Sequence, residues 1–237
     1  MYINVPFTKE NVELSLKEIA KELKKRGKGI EAEIILVGGA SIIVNYSFRF
    51  SSYDIDAMYS MPSLMKEVIN AVGDKQGLPN GWLNDDFKNT ASYSNKIVQY
   101  SEYYKTFSNV LSVRTVRAEY LIAMKLVSGR QYKKDLSDIA GIVYEQSLLG
   151  KPITYEMIDT AVKNLYGNWD KISNTSKETL EKILNHENLQ ALFIELSEDE
   201  EKAKSVLSEI SKKYPTTVNR DNADEIIKIA LEKKNTK

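Results

Sequence analysis

Ile34-Ile-Leu-Val-Gly-Gly-Ala-Ser-Ile-Ile-Val-Asn-Tyr-Ser-Phe-Arg-Phe-Ser-Ser-Tyr-Asp-Ile-Asp-Ala-Met58 decides how this chain is read. Its opening belongs to an apolar run, Glu33 to Val37, with the length and continuity of a buried strand. Gly38-Gly39 breaks the run, and Ser41 to Tyr46 continues as a short helix. Tyr53 to Tyr59 then alternates polar and apolar residues, the pattern of a second strand. On a strand, residues i and i+2 share a face, which sets Asp54 and Asp56 roughly 6–7 Å apart along it. Such carboxylates repel unless a cation lies between or above them, and the hard ions Mg²⁺ or Mn²⁺ suit them. The plainer alternative is an exposed acidic pair on an edge strand. A strand, two glycines and a helix let backbone amides approach a phosphate with a helix N-terminus behind them; an ordinary tight turn uses the same dipeptide. Ser41, Arg49, Ser51 and Ser52 either contact phosphates or serve as loop and capping residues.

Outward from this stretch the periodicity is mostly helical. Thr8 caps a helix running to about Arg26, with Val12, Leu16, Ile19, Ala20 and Leu23 on one stripe and Gly27 and Gly29 at its end. A helix starting near Leu64 places Val68, Ile69 and Val72 inward. Gly77 to Gly81 is a turn cluster, and Trp82 to Phe87 reads as a short helix. Strands are expected near Lys96–Gln99 and Val110–Val116. Everything past Arg117 reads as helix: 117–128, 133–148, a Thr154-capped segment ending at Gly167, then 176–195, 198–213 and 222–233, with fraying at the very end. The spacing predicts an α+β fold, with a small mixed sheet flanked by helices over residues 1–150 and a helical domain over 151–237.

Composition removes several classes of function. Lysine and arginine total 33, as do aspartate and glutamate, so no global charge draws this chain to nucleic acid. There is no cysteine, which excludes disulfides and thiolate metal sites and fits a cytoplasmic location. No signal peptide and no bilayer-length apolar run is visible, so no membrane partner is expected. With His186 the single histidine, chemistry falls to carboxylates, lysine and a hard metal ion.

A second stretch carries charge into an apolar context. Lys125 interrupts the otherwise apolar helix 117–128 and must snorkel or meet an anion, either a protein carboxylate or a nucleotide phosphate. Asp135 and Asp138, three apart on one helix flank, bind Lys125, orient Arg130, assist metal or proton transfer, or simply complement a helix N-terminus. From Ala91 to Lys151 basic residues outnumber acids, with Tyr93, Tyr100, Tyr103, Tyr104 and Phe107 interleaved. That pattern suits an RNA-facing patch or a solvated surface of strand and loop. The run Glu198-Asp-Glu-Glu201 reads as the charged start of a helix after Ser197.

Val37-Gly38-Gly39 followed by Asp54-Ile55-Asp56 resembles the signature of the nucleotidyltransferase superfamily, with a spacer, residues 40–53, slightly longer than usual. Arg117-Ala-Glu-Tyr-Leu-Ile-Ala-Met-Lys-Leu-Val-Ser-Gly-Arg-Gln-Tyr-Lys-Lys-Asp-Leu-Ser-Asp-Ile139 resembles the Lys…Arg…Lys-Asp-x-x-Asp element of AbiEii-like nucleotidyltransferase toxins of bacterial toxin–antitoxin systems. Leu78-Pro-Asn-Gly-Trp-Leu-Asn-Asp-Asp86 is similar to a segment of uncharacterised bacterial nucleotidyltransferase-like proteins. The resemblance covers about residues 10–150. It implies an NTP substrate whose phosphates meet Gly38, Gly39, Ser41, Arg49, Ser52 and Arg130. It implies Mg²⁺ or Mn²⁺ on Asp54 and Asp56, and Lys125, Asp135 and Asp138 in catalytic roles. The acceptor it implies is tRNA or a protein, with a separately encoded antitoxin as partner; a catalytically idle binding module is the rival reading. Many members carry a third metal-binding carboxylate on a later strand. The strands expected here offer none, Glu102 being nearest, with Asp85, Asp86 or the Asp135/Asp138 pair as substitutes.

Overall fold

The computed structural model describes residues 6–27, 29–219 and 222–235. The expected fraying at Thr236 and Lys237 lies outside the described residues. The chain divides into two compact units, residues 1–124 with 158–167, and residues 125–157 with 168–237. The sequence put the change of character near Gly150; the units divide between Met124 and Lys125, within one helix.

The first unit holds the sheet. Its strands are β1 (Ala32–Leu36), β2 (Ile55–Tyr59), β3 (Leu83–Asn84), β4 (Ser101–Phe107) and β5 (Leu111–Val116), in the order β3-β2-β1-β5-β4. β1 is central, antiparallel to β2 and parallel to β5, which explains its unbroken apolar run. β2 and β3 are parallel, and β4 and β5 form an antiparallel hairpin. The expected α+β class with a small mixed sheet is what the chain forms.

Helices α1 (Lys9–Arg26), α2 (Gly38–Asn45) and α3 (Pro62–Gln76) accompany this sheet. The expected α1 stripe, Val12, Leu16, Ile19, Ala20 and Leu23, is wholly buried in one core with Ile34, Leu36, Ile55, Ala57, Met65, Val68 and Val72. Burying an aliphatic side chain of this size contributes about 1.5–3 kcal/mol, so this stripe anchors the helix far more strongly than its caps do.

Three local expectations need correction. Residues 82–87 are not a helix: Leu83 and Asn84 pair with Ile55 and Asp56 as β3, and a 3₁₀ turn, Asp86–Asn89, follows. Trp82 drives this placement, burying its ring against Gly73 and donating from Nε1 to the Ile69 carbonyl at 3.1 Å. Lys96–Gln99 is not a strand but part of a 3₁₀ helix, Asn95–Tyr100, and the strand is β4 just beyond it. β4 is an outer strand with only its two end residues, Ser101 and Phe107, buried, so it lacks the alternation that marks a half-buried strand.

The chain then runs through α4 (Ala118–Ser128), whose last turn from Lys125 opens the second unit. That unit contains α5 (Asp135–Leu148), the start of α6 (Tyr155–Tyr166), α7 (Asn174–Leu184), α8 (Leu189–Lys213) and α9 (Ala223–Asn235). The third correction lies here: the break expected between 195 and 198 is absent, and α8 passes unbroken through the acidic run Glu198 to Glu201. The break sits instead at 185–188, where Asn188 caps α8 by accepting from the Ala191 N–H. Among the described residues, no helix is long and apolar enough to cross a membrane.

Candidate active site

In the first unit, β1 ends at Leu36, and the next residue, Val37, donates its N–H to the Asp56 carbonyl at 3.0 Å. This bond carries the β1–β2 pairing up to the glycine turn and so places Asp56 beside it. The helix α2 begins at Gly38, earlier than the Ser41 start expected. Gly38 has φ +52°, a left-handed conformation that glycine adopts without steric cost. A Cβ on Gly38 would lie 3.6 Å from Asp56 Oδ2, so that carboxylate faces the turn.

Gly39 is needed for a different reason. A Cβ there would fall 2.7 Å from Arg49 Nη2, closer than contact allows, and 3.1 Å from Ser52 Oγ, a tight approach. The absence of a side chain lets a guanidinium and a hydroxyl lie directly on the first turn of α2, where helical N–H groups lack intrahelical partners. Ser52 is fixed by reciprocal backbone bonds with Phe7, and its hydroxyl donates to Asp54 Oδ1 at a long 3.4 Å.

β2 begins at Ile55, so Asp54 stands in a bend just before it rather than within the strand. The alternation survives all the same. Ile55 and Ala57 are fully buried, while Asp54 is exposed and Asp56 half-buried. The two carboxylates therefore lie away from the core face. Hard oxygen donors reachable from solvent suit Mg²⁺ or Mn²⁺, and such ions take one or two protein carboxylates and complete their shell with substrate phosphates and water.

Six of the residues singled out in the sequence thus meet at one place: Gly38, Gly39, Arg49, Ser52, Asp54 and Asp56. Ser41 sits differently. It is wholly buried, and its hydroxyl accepts from the Val116 N–H at 3.3 Å, tying α2 to the end of β5.

The third acid is missing from the described residues, where no group of three or more His, Asp and Glu side chains is placed to hold a metal ion. At the register position beside Asp56, β3 offers Asn84, an amide. Asp85 is taken by Lys88 at 2.7 Å, which holds its carboxyl below the usual range against the effect of burial. Burial and the nearby Asp85 charge push the Tyr59 hydroxyl up to about 12. Part of the Tyr/Lys-rich segment is also committed within the unit. Tyr100 stacks on Tyr120 at 4.1 Å, and Tyr104 and Lys105 both bond to Glu13.

The second unit holds the other predicted residues in a closed network. Lys125 Nζ lies 2.8 Å from Asp135 Oδ1 and 2.7 Å from Asp138 Oδ2, with its side chain only 10% exposed. Asp135 also accepts from Arg130 Nε at 2.8 Å and from the Arg130 N–H at 3.2 Å. Burial would raise the Asp135 pKa, but the Lys125 and Arg130 cations hold the carboxyl well below its ordinary range. Of the two anions open to Lys125 from the sequence, its neighbours here are protein carboxylates.

Two acids of this unit escaped sequence reasoning. Glu200 accepts from the N–H groups of Leu136 and Ser137 and from the Ser137 hydroxyl, capping the N-terminus of α5. Burial pushes its pKa up to about 7, against those hydrogen bonds and with help from the Asp138 charge. Asp224 accepts from the Gln131 N–H at 3.0 Å. A signal for Glu200 existed: it falls in register with Leu192, Ala203 and Val206 on the buried stripe of α8.

The family described as a nucleotidyltransferase of unknown function (DUF6036) matches residues 14–204, which include the glycine turn, both aspartates, the Lys125 network and Glu200. No curated protein and no solved structure matches the chain.

Proposed function

Because the chain belongs to this nucleotidyltransferase family, we propose that it moves a nucleoside monophosphate from an NTP onto an acceptor hydroxyl. The observation that carries this reading is the contact set at the turn, with Asp56 facing Gly38 and with Arg49 and Ser52 lying on Gly39. In this reading the amides of Gly38 and Gly39, the Arg49 guanidinium and the Ser52 hydroxyl bind the triphosphate. Asp54 and Asp56 hold Mg²⁺ or Mn²⁺, which supplies positive charge to the phosphoryl oxygens. The acceptor hydroxyl attacks the α-phosphorus and gives up its proton to solvent, the bond from the α-phosphorus to the bridging oxygen of the β-phosphate breaks, and pyrophosphate leaves. Positioning and charge supply most of the rate in such a reaction, so a rigid turn is worth more than a reactive side chain.

The resemblance of residues 117–139 to AbiEii-like toxins supports a finer reading: a toxin that modifies tRNA or a protein and is neutralised by a separately encoded antitoxin. The test is incubation with labelled NTPs, Mg²⁺ and total RNA. Label should move to a macromolecule, and NTP should raise the unfolding temperature. Failure of both would end the reading. The lack of a third acid beside Asp54 and Asp56 among the described residues favours a second reading, a nucleotide-binding module without turnover. It predicts the thermal shift without the label.

A further inference from the structure

The loop between α2 and β2 carries four aromatic residues in eight, Tyr46, Phe48, Phe50 and Tyr53. They fall into two pairs. Tyr46 and Phe48 are half-buried and pack on one another, with ring centroids 5.6 Å apart. Phe50 and Tyr53 are instead exposed, at 82% and 62%, and stand among the large apolar side chains that the described residues leave in water. An exposed phenylalanine on a loose loop would mean little. Phe50 is not on a loose loop. Arg49, immediately before it, lies on Gly39 and donates from Nε to the Ser51 carbonyl at 3.4 Å. Ser52, two residues after it, lies on the same glycine and is bridged on both sides to Phe7. The backbone is thus pinned on either side of Phe50, which follows Arg49 directly in the chain, their Cα atoms roughly 3.8 Å apart. Tyr53 stands in the corresponding place between Ser52 and Asp54.

We propose that Phe50 and Tyr53 form a stacking face for a nucleobase, set beside the phosphate-binding turn. This deepens the transferase reading and rests on it. In this proposal the ligand's charged end meets Arg49 and Gly39, and its flat ring meets the two exposed aromatic side chains of the same segment. Stacking tolerates every base because each has a π-face, so the face fixes the ligand class without selecting among bases. The base belongs either to the NTP or to an RNA acceptor, and titration separates the two.

The experiment measures binding of Mg-ATP, inorganic tripolyphosphate with Mg²⁺, and a short single-stranded oligoadenylate to the full chain and to F50A and Y53A. Both side chains are exposed, so their removal should leave folding intact, which the unfolding temperature verifies. Stacking losses of about 10-fold are expected for at least one base-bearing ligand, with tripolyphosphate unchanged. Loss confined to ATP assigns the base to the NTP, and loss confined to oligoadenylate assigns it to the acceptor. A Phe50→Trp reporter should be quenched by the same ligand. Unchanged affinity of F50A and Y53A for both ATP and oligoadenylate overturns the stacking face. Failure of tripolyphosphate to bind the unaltered chain overturns the phosphate site instead, so the two failures are told apart.

Discussion

Asp56 and Lys125 are both charged residues set among apolar neighbours in the sequence, and the fold treats them in opposite ways. Asp56 is half-exposed beside a glycine turn, in a unit where Arg49, Ser52 and Asp54 also lie close to that turn. Lys125 is buried between Asp135 and Asp138, and Asp135 is shared with Arg130. One group of charges lies beside a turn that solvent reaches. The other is buried in mutual ion pairs. The difference teaches that a charge in an apolar context signals a constraint rather than a function, and that burial decides which kind of constraint it is.

The largest effect expected from breaking this contrast is in the second unit. Lys125→Met leaves Asp135 and Asp138 buried without their shared cation and should cost about 3–5 kcal/mol of stability. Chemical denaturation measures this, and an added Asp135→Leu and Asp138→Leu should return much of the loss. A stable Lys125→Met chain would mean that the network does not hold the second unit together.

Glu200 gives the next effect, of opposite sign to the usual carboxylate. Its folded pKa, raised to about 7 from 4.5, means that the folded chain keeps a proton the unfolded chain gives up. Its contribution is therefore fully present below about pH 4.5 and lost as pH rises through 7, on the order of 3 kcal/mol in all. Asp135 runs the other way: its lowered pKa contributes stability above the unfolded value that disappears only in strong acid. Urea midpoints between pH 5 and 8 should fall for the unaltered chain and stay level for Glu200→Gln.

The smallest effect is expected at the turn. Gly39→Ala meets chiefly the far end of Arg49, which can swing aside, so stability should fall by less than about 1 kcal/mol. Tripolyphosphate affinity should fall with it, because the guanidinium has been displaced. Equal affinity would show that Arg49 does not serve the phosphate.

Legibility in the sequence followed the same divide. α1, β1 and the two aspartates were readable because a stripe, a buried run and an alternation each extend over five residues or more. β3 was not, since a two-residue strand is shorter than any period, and it is held by Trp82 packing on Gly73 rather than by its own pattern. β4 was misplaced because only its two end residues are buried and Tyr104 between them only partly, too sparse a pattern to read as alternation. Asp54 and Asp56 announced themselves as acids in a strand-like segment, where such residues are scarce. Glu200 hid inside an acidic run that resembles solvated helix, and only its register with Ala203 and Val206 sets it apart. The outward set of Phe50 and Tyr53 depends on contacts across the Gly39 turn that no local pattern encodes.

The central claim is that the carboxylates beside the glycine turn are where chemistry occurs, and transfer of labelled nucleotide by Asp54→Asn and Asp56→Asn tests it most directly. Each variant should unfold at the temperature of the unaltered chain and lose about 100-fold or more of the transfer rate in Mg²⁺. Transfer at the full rate by both variants, with the fold intact, would contradict the account.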